Sequence, residues 1–175
     1  SNFVFLIYEL YVLLGGIGTV LNVYKLLPGY DNVIHVLAGY VFALFSLFFL
    51  SRLCNYKKLN VWTVALFAFM FTLTIEYFWE LIERFSDMFL GQTAQGDIIP
   101  GYDAPLVVDS MTDMFCNLCG GVVFVIHFLI GKLSKCSLGM NYIEKEFVFV
   151  RKDLAMEDKL MLSSVEDDVI DKVEK

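Results

Sequence analysis

Long apolar stretches that are almost free of charged residues limit what this chain can fold into. Each stretch runs for more than 18 residues, the length that a helix needs to cross a bilayer core about 30 Å thick. Hydrophobic residues make up 58% of the 175 positions, and the mean hydropathy is +0.65. That share exceeds what is usual for a soluble domain. The sequence therefore predicts an integral membrane protein.

Four such stretches predict an all-α membrane protein, a bundle of four transmembrane helices with a short charged cytoplasmic tail. The predicted spans are residues 3–24, 33–53, 61–85 and 106–133. Their lengths of 21 to 28 residues suit spanning helices with some tilt. A longer loop rich in Gly, Pro and Asp precedes the fourth span and argues against a continuous helix there. We expect residues 1–138 to form the transmembrane domain.

Basic residues near the span ends predict the orientation of the bundle. Most of them lie in the second loop and after the fourth span, at Arg52, Lys57, Lys58, Lys132 and Lys135. Only Lys25 and Arg84 lie on the other side. Because cytoplasmic loops carry the excess of Lys and Arg, both termini should be cytoplasmic, in the cell (inner) membrane. The first and third loops should then face outward.

Residues 139–175 form the predicted acidic cytoplasmic tail. Residues 140–175 contain ten acidic and six basic side chains. The alternation in "NYIEKEFVFVRKDL" is compatible with a short strand, but a solvated and partly disordered tail is the favoured interpretation. The net charge of the chain is −7 and no basic face is present, which excludes nucleic acid as a partner.

Carboxylates collect near the predicted outer ends of the third and fourth spans. Glu76 and Glu80 share one helical face, as do Asp109, Asp113 and Asn117. On each helix, one carboxylate lies near the surface and a second lies about 6 Å deeper. A charge at the centre of a spanning helix costs about 2.5–3.5 kcal/mol on insertion, so such residues should face a polar interior. A bound cation, shared protons or a water-filled cleft would each relieve the repulsion.

His35 opens the second span, four residues after Asp31, and Asp97 lies in the third loop. Imidazole and carboxylate ligands together suit a hard or borderline divalent ion, so a divalent metal is the candidate cofactor. The catalytic candidates are His35, Glu76 and Asp113. The binding candidates are Asp31, Glu80, Asp97, Asp109 and Asn117. The metal candidates are His35, Glu76, Glu80, Asp109 and Asp113.

Other polar residues of this region have simpler explanations. Glu83, Asp87 and Asp103 are expected to lie in headgroup water. Cys116 and Cys119 form a CxxC inside an apolar helix with no second pair, which indicates helix packing rather than zinc.

Three segments together resemble a known family. The segments "LLPGYDNVIHVLAGYVFA", "EYFWELIERFSDMFLGQTAQGD" and "DSMTDMFCNLCGG" resemble, in that order, YjdF-like bacterial inner-membrane proteins. The Asp-x3-His start and the later D-x3-D-x3-N-x2-G segment are also similar to the VanZ-like group. The resemblance spans roughly residues 24 to 124 and implies a small helical membrane protein. VanZ-like members are associated with glycopeptide resistance. This association does not identify a substrate for the present chain.

These residues support three hypotheses of function. The first is an outward-facing site that binds or processes an envelope-related amphiphile or lipid headgroup with a divalent cation. Any catalysis would be hydrolysis or transfer with His35 or Glu76 as the base. The second is a proton- or cation-coupled transporter, which the apolar inner halves, polar only at Glu9 and His127, disfavour. The third is a scaffold whose tail recruits a partner. The sequence leaves open whether the protein is an enzyme and whether it forms a homo-oligomer.

Overall fold

A computed structural model of the chain describes residues 2–21, 23–95 and 104–148, and these ranges are helical with no strand. The elements in chain order are α1 (Asn2–Val20), α2 (Val23–Leu26), α3 (Tyr30–Leu53), a 3₁₀ turn (Tyr56–Lys58), α4 (Val61–Leu90), α5 (Ala104–Leu133) and α6 (Met140–Phe147). The predicted all-α class is thus confirmed for the described residues.

Among the described residues, three helices are long and apolar enough to cross a membrane, namely α3, α4 and the Val107–Leu133 part of α5. The apolar part of α1, Phe5–Gly18, is shorter, so a fourth span stays a prediction. Large apolar side chains on the outer faces of these helices, such as Leu66 and Phe115, are exposed. Lipid is the environment in which such a surface is stable.

Helix α4, the third of the predicted spans, extends five residues beyond its predicted end at residue 85. It begins at Val61, where the Asn60 side chain accepts a hydrogen bond of 2.8 Å from the Trp62 backbone N–H. It ends at Gly91, which adopts the left-handed conformation at φ 63°. A residue without a Cβ takes this conformation at no steric cost. The longer helix carries additional polar side chains toward the site.

Helix α3 packs against both α4 and α5, and those two helices also contact each other. Helix α4 runs opposite to α3 and α5, so the first half of α3, the second half of α4 and the first half of α5 lie at the same end of the bundle. We call this end of the bundle the carboxylate end. The opposite end, which contains Leu53, Val61 and Leu133, is called the lysine end.

The interior changes character along the bundle axis. Toward the lysine end the buried side chains are mainly apolar and include Leu47, Ala68, Phe124 and Phe128. Toward the carboxylate end the buried side chains are mainly polar or ionisable. The core that holds the helices together therefore lies apart from the residues that could carry chemistry.

Helix α6 replaces the short strand that alternation had suggested. Met140 and Phe147 are fully buried, and the Phe147 ring packs on Phe45 with 5.6 Å between ring centroids. Met140, Ile143 and Phe147 have the spacing of one helical face, which docks on the bundle. A lone strand would leave its backbone groups without partners, whereas a helix pairs them internally. Residues 149–175 of the predicted tail lie outside the described residues.

Candidate functional site

Five predicted side chains from three helices meet at the carboxylate end. These are His35 from α3, Glu76 and Glu80 from α4, and Asp113 and Asn117 from α5. None is more than 7% exposed. Because α4 runs opposite to its neighbours, its second half lies beside the first halves of α3 and α5. Several ionisable groups therefore share one low-dielectric space, where unpaired charges are costly.

His35 is held between carboxylates on both sides of its ring. Its Nδ1 lies 2.6 Å from Glu76 Oε1, which is a short hydrogen bond. Its Nε2 lies 3.6 Å from Asp31 Oδ1 and 3.9 Å from Asp113 Oδ1. These two distances are too long for hydrogen bonds. They are close to the separation, about 3–4 Å, of two ligand atoms that each lie about 2.0–2.2 Å from one ion.

A chain of hydrogen bonds fixes the Glu76 carboxylate from the side that faces the lysine end. Its Oε2 accepts a hydrogen bond of 2.8 Å from Asn117 Nδ2. Asn117 Oδ1 lies 3.1 Å from the Thr72 hydroxyl, which is also 3.1 Å from the Gly39 carbonyl oxygen. A carboxylate that orients a ligating histidine is a recurrent second layer around protein metal ions. Glu76 therefore has the position of an orienting group.

Glu80 has a buried oxygen atom with no partner among the described residues. Its Oε2 lies 3.5 Å from Gln95 Nε2, which donates a shorter bond of 2.8 Å to Ser110 Oγ. Within the described ranges, its Oε1 has no hydrogen-bond partner although it is buried. An unsatisfied buried oxygen is rare in folded proteins and calls for a water, a proton or a ligand.

In the described part of the chain, two sets of donor atoms lie close enough together to share an ion. One is Asp31, His35 and Asp113, and the other is His35, Glu76 and Glu80, each set within 4.8 Å. In the second set the 2.6 Å contact between His35 and Glu76 leaves no space for an ion between them. The first set is therefore the better candidate, and it includes Asp31, which the sequence placed among the binding residues only.

Other predicted residues lie at the margin of this cluster or outside it. Asp109 is partly buried and belongs to neither donor set among the described residues. Asp97 and Asp103 lie outside the described residues. Cys116 and Cys119 are free thiols on α5, and they contribute to neither donor set.

Asp87 was expected in headgroup water, but the structure places it in a buried position. Its carboxylate accepts hydrogen bonds from the backbone N–H groups of Ala94 and Gln95, at 2.8 and 3.0 Å. These bonds fold the loop back over the end of α4 and bring Gln95 to Glu80. The sequence contains a sign of this buried position, because Asp87 lies on the same face of α4 as Thr72, Glu76 and Glu80.

His127, the polar residue of the opposite half, belongs to a separate contact. Its Nδ1 lies 2.7 Å from the Tyr40 hydroxyl, and its Nε2 lies 3.0 Å from the Leu138 carbonyl oxygen. His127 is thus hydrogen-bonded within the protein at both ring nitrogens.

Spanning-length apolar helices around buried histidine and carboxylate side chains define this molecule as a small helical membrane protein. The chain belongs to the family described as "predicted membrane protein (DUF2238)", whose model matches residues 1–132. No curated protein and no solved structure matches the chain. The family supports the membrane location and names no chemistry for the buried cluster.

Proposed function

We propose that the carboxylate end binds a divalent cation through Asp31, His35 Nε2 and Asp113. The observation that carries this proposal is the placement of Nε2 between two carboxylate oxygens at 3.6 and 3.9 Å. Glu76 holds the other ring nitrogen at 2.6 Å and would keep Nε2 available as a ligand. A dipositive ion would also offset the repulsion among buried carboxylates, which otherwise calls for shared protons.

The proposed ion would serve to hold an anionic amphiphile or lipid headgroup. Three protein ligands leave at least one coordination position for a substrate oxygen, as in open metal sites. Asp31, whose side chain is 36% exposed, lies at the rim where a headgroup could enter. The unpaired Glu80 Oε1 is a further polar contact for such a ligand. If hydrolysis or transfer occurs, Glu76 is the remaining candidate base, because both ring nitrogens of a metal-bound His35 would be engaged.

The proposal includes the orientation and the family relationship inferred from the sequence. The carboxylate end would face outward from the inner membrane, with both termini cytoplasmic, as the distribution of Lys and Arg predicts. The YjdF-like and VanZ-like resemblance supports an envelope-related ligand. Susceptibility to envelope-active drugs is therefore a suitable cellular readout.

The direct test is calorimetric titration of the purified chain in detergent with Zn²⁺, Mn²⁺ and Mg²⁺. We expect one site for at least one of these ions, and Asp113→Asn should weaken it by more than about tenfold, since it removes a charged ligand. Asp109→Asn is the matched control, because Asp109 lies one turn away on the same helix and outside both donor sets. Equal losses in the two variants, or no ion binding at all, would refute the proposal.

The rival hypothesis of a proton- or cation-coupled transporter uses the same residues. The apolar side chains of Leu47, Phe124 and Phe128 fill the interior on the lysine side of the cluster, which disfavours a polar route through one chain. A route between the copies of a homo-oligomer stays open. Proteoliposome uptake that depends on Glu76 would favour the transporter. The scaffold hypothesis rests on residues 149–175, beyond the described part of the chain.

A further inference from the structure

A groove at the lysine end is independent of the carboxylate cluster. It has a volume of about 600 Å³ and lies between the 3₁₀ turn, the start of α4, the end of α5 and α6. The apolar core around Leu47 and Phe124 separates it from the cluster. The groove therefore needs its own explanation.

The walls of the groove differ in polarity with depth. Val61, Val64 and Phe128 belong to spanning helices and form an apolar wall. Lys57 in the 3₁₀ turn and Lys145 in α6 lie on the wall outside the spans, and both are exposed. A ligand that matches these walls has an apolar part at membrane depth and an anionic part at the surface.

One partly exposed network of hydrogen bonds holds the groove in shape. The Tyr56 hydroxyl donates a 2.6 Å hydrogen bond to Glu144 Oε1, and Lys132 Nζ donates a 2.8 Å bond to Glu144 Oε2. These bonds tie α6 to the 3₁₀ turn and to α5. Glu144, the acidic residue that lines the groove, is thereby paired with Lys132. Within the described part of the chain, Lys57 and Lys145 form no ion pair.

We infer that this groove binds the headgroup of an anionic glycerophospholipid from the adjoining leaflet. Lys57 and Lys145 would contact the phosphate, and the first methylene groups of the acyl chains would lie along Leu59 and Val61, which line the groove and are only partly buried. Basic pockets between spanning helices are suited to anionic headgroups, because the lysine charge reaches water while the pocket floor stays apolar. Lys57 and Lys145 supply positive charge at the opening of the groove, and its apolar residues lie at the ends of the spans. The groove therefore fits a lipid better than a wholly soluble anion.

The test is lipid binding to the full chain in detergent, followed by native mass spectrometry and titration. Phosphatidylglycerol should bind at least about tenfold more tightly than phosphatidylcholine. In the double variant Lys57→Gln/Lys145→Gln, phosphatidylglycerol affinity should fall by about 30-fold, because each substitution removes one positive charge beside the phosphate. Both substitutions leave the network around Glu144 intact.

Lys135→Gln is the matched control, since Lys135 is exposed at the same end and does not line the groove. It should change the affinity by less than about twofold, because its charge is remote from the bound phosphate. Equal binding of the two lipids, or an equal loss in the control, would overturn the inference. Displacement of the lipid by equimolar glycerol phosphate would also overturn it, because a soluble anion would then suffice.

Discussion

Gly39 of α3 and Asn117 of α5 are so close that a methyl group on Gly39 would overlap the Asn117 carbonyl oxygen. Gly120 has the same relationship to the Val36 carbonyl oxygen on α3. Small residues allow two spanning helices to approach in this way. The approach brings His35 and Asp113 onto facing surfaces, since each lies one turn from one of these contacts.

Gly39→Ala should therefore separate α3 from α5. Overpacking of this kind costs about 1–3 kcal/mol, so we expect a lower midpoint of thermal unfolding in detergent. Cation binding at the carboxylate end should weaken with it, because the ligands come from both helices. Gly15→Ala is the control, as a Cβ there meets nothing within 4 Å. A Gly39→Ala protein as stable as wild type would contradict the close contact.

Asn117→Ala should leave Glu76 Oε2 buried and without its donor. A buried acceptor that loses its partner costs about 1–3 kcal/mol, which should appear as reduced stability. The His35 ring should also lose its fixed orientation and bind the ion less tightly. Thr74→Ala, which removes an exposed hydroxyl bonded to the Met70 carbonyl oxygen, serves as comparison and should change neither property. Unchanged ion affinity in Asn117→Ala would argue against an orienting role for Glu76.

Asp87→Ala should release the loop that follows α4. The carboxylate accepts two backbone hydrogen bonds, and its removal leaves Ala94 and Gln95 unanchored. Amide exchange at these two residues should become faster by at least about tenfold, if each bond contributes roughly 1 kcal/mol. Glu83→Gln is the comparison, because Glu83 contacts the Trp79 indole instead. Equal amide-exchange rates at Ala94 and Gln95 in the two variants would contradict the anchoring role of Asp87.

The partly buried hydroxyl of Tyr56 should make the stability of the lysine end decrease at alkaline pH. Burial and the hydrogen bond to Glu144 raise the pKa of Tyr56 above its ordinary value of 10.0. The unfolded chain therefore loses this proton at lower pH than the folded chain. The stabilisation is complete below pH 10 and declines as the pH rises toward the folded pKa. Unfolding followed from pH 8 to 11 should show a steeper decline above pH 10 for wild type than for Tyr56→Phe, and identical profiles would contradict this assignment.

The spacing of polar residues predicted much of the candidate site. Glu76 with Glu80, and Asp113 with Asn117, each share a helical face, and this follows from the helical repeat alone. Thr72 and Asp87 follow the same α4 face and were missed, because a threonine in a span and an aspartate at its end have common alternative roles. Gln95 could not be predicted, since its position depends on how the loop folds back onto Asp87.

The sequence by itself determined the apolar spans and the one-sided distribution of carboxylates, because hydropathy and helical spacing are local properties of the chain. The tertiary structure decided that Asp113, rather than Asp109, lies beside His35 Nε2 and that Glu80 Oε1 has no partner among the described residues. It also decided that residues 140–147 form a helix on the bundle. Each of these outcomes depends on distances between helices, and those distances are set by side-chain packing, above all at Gly39 and Gly120.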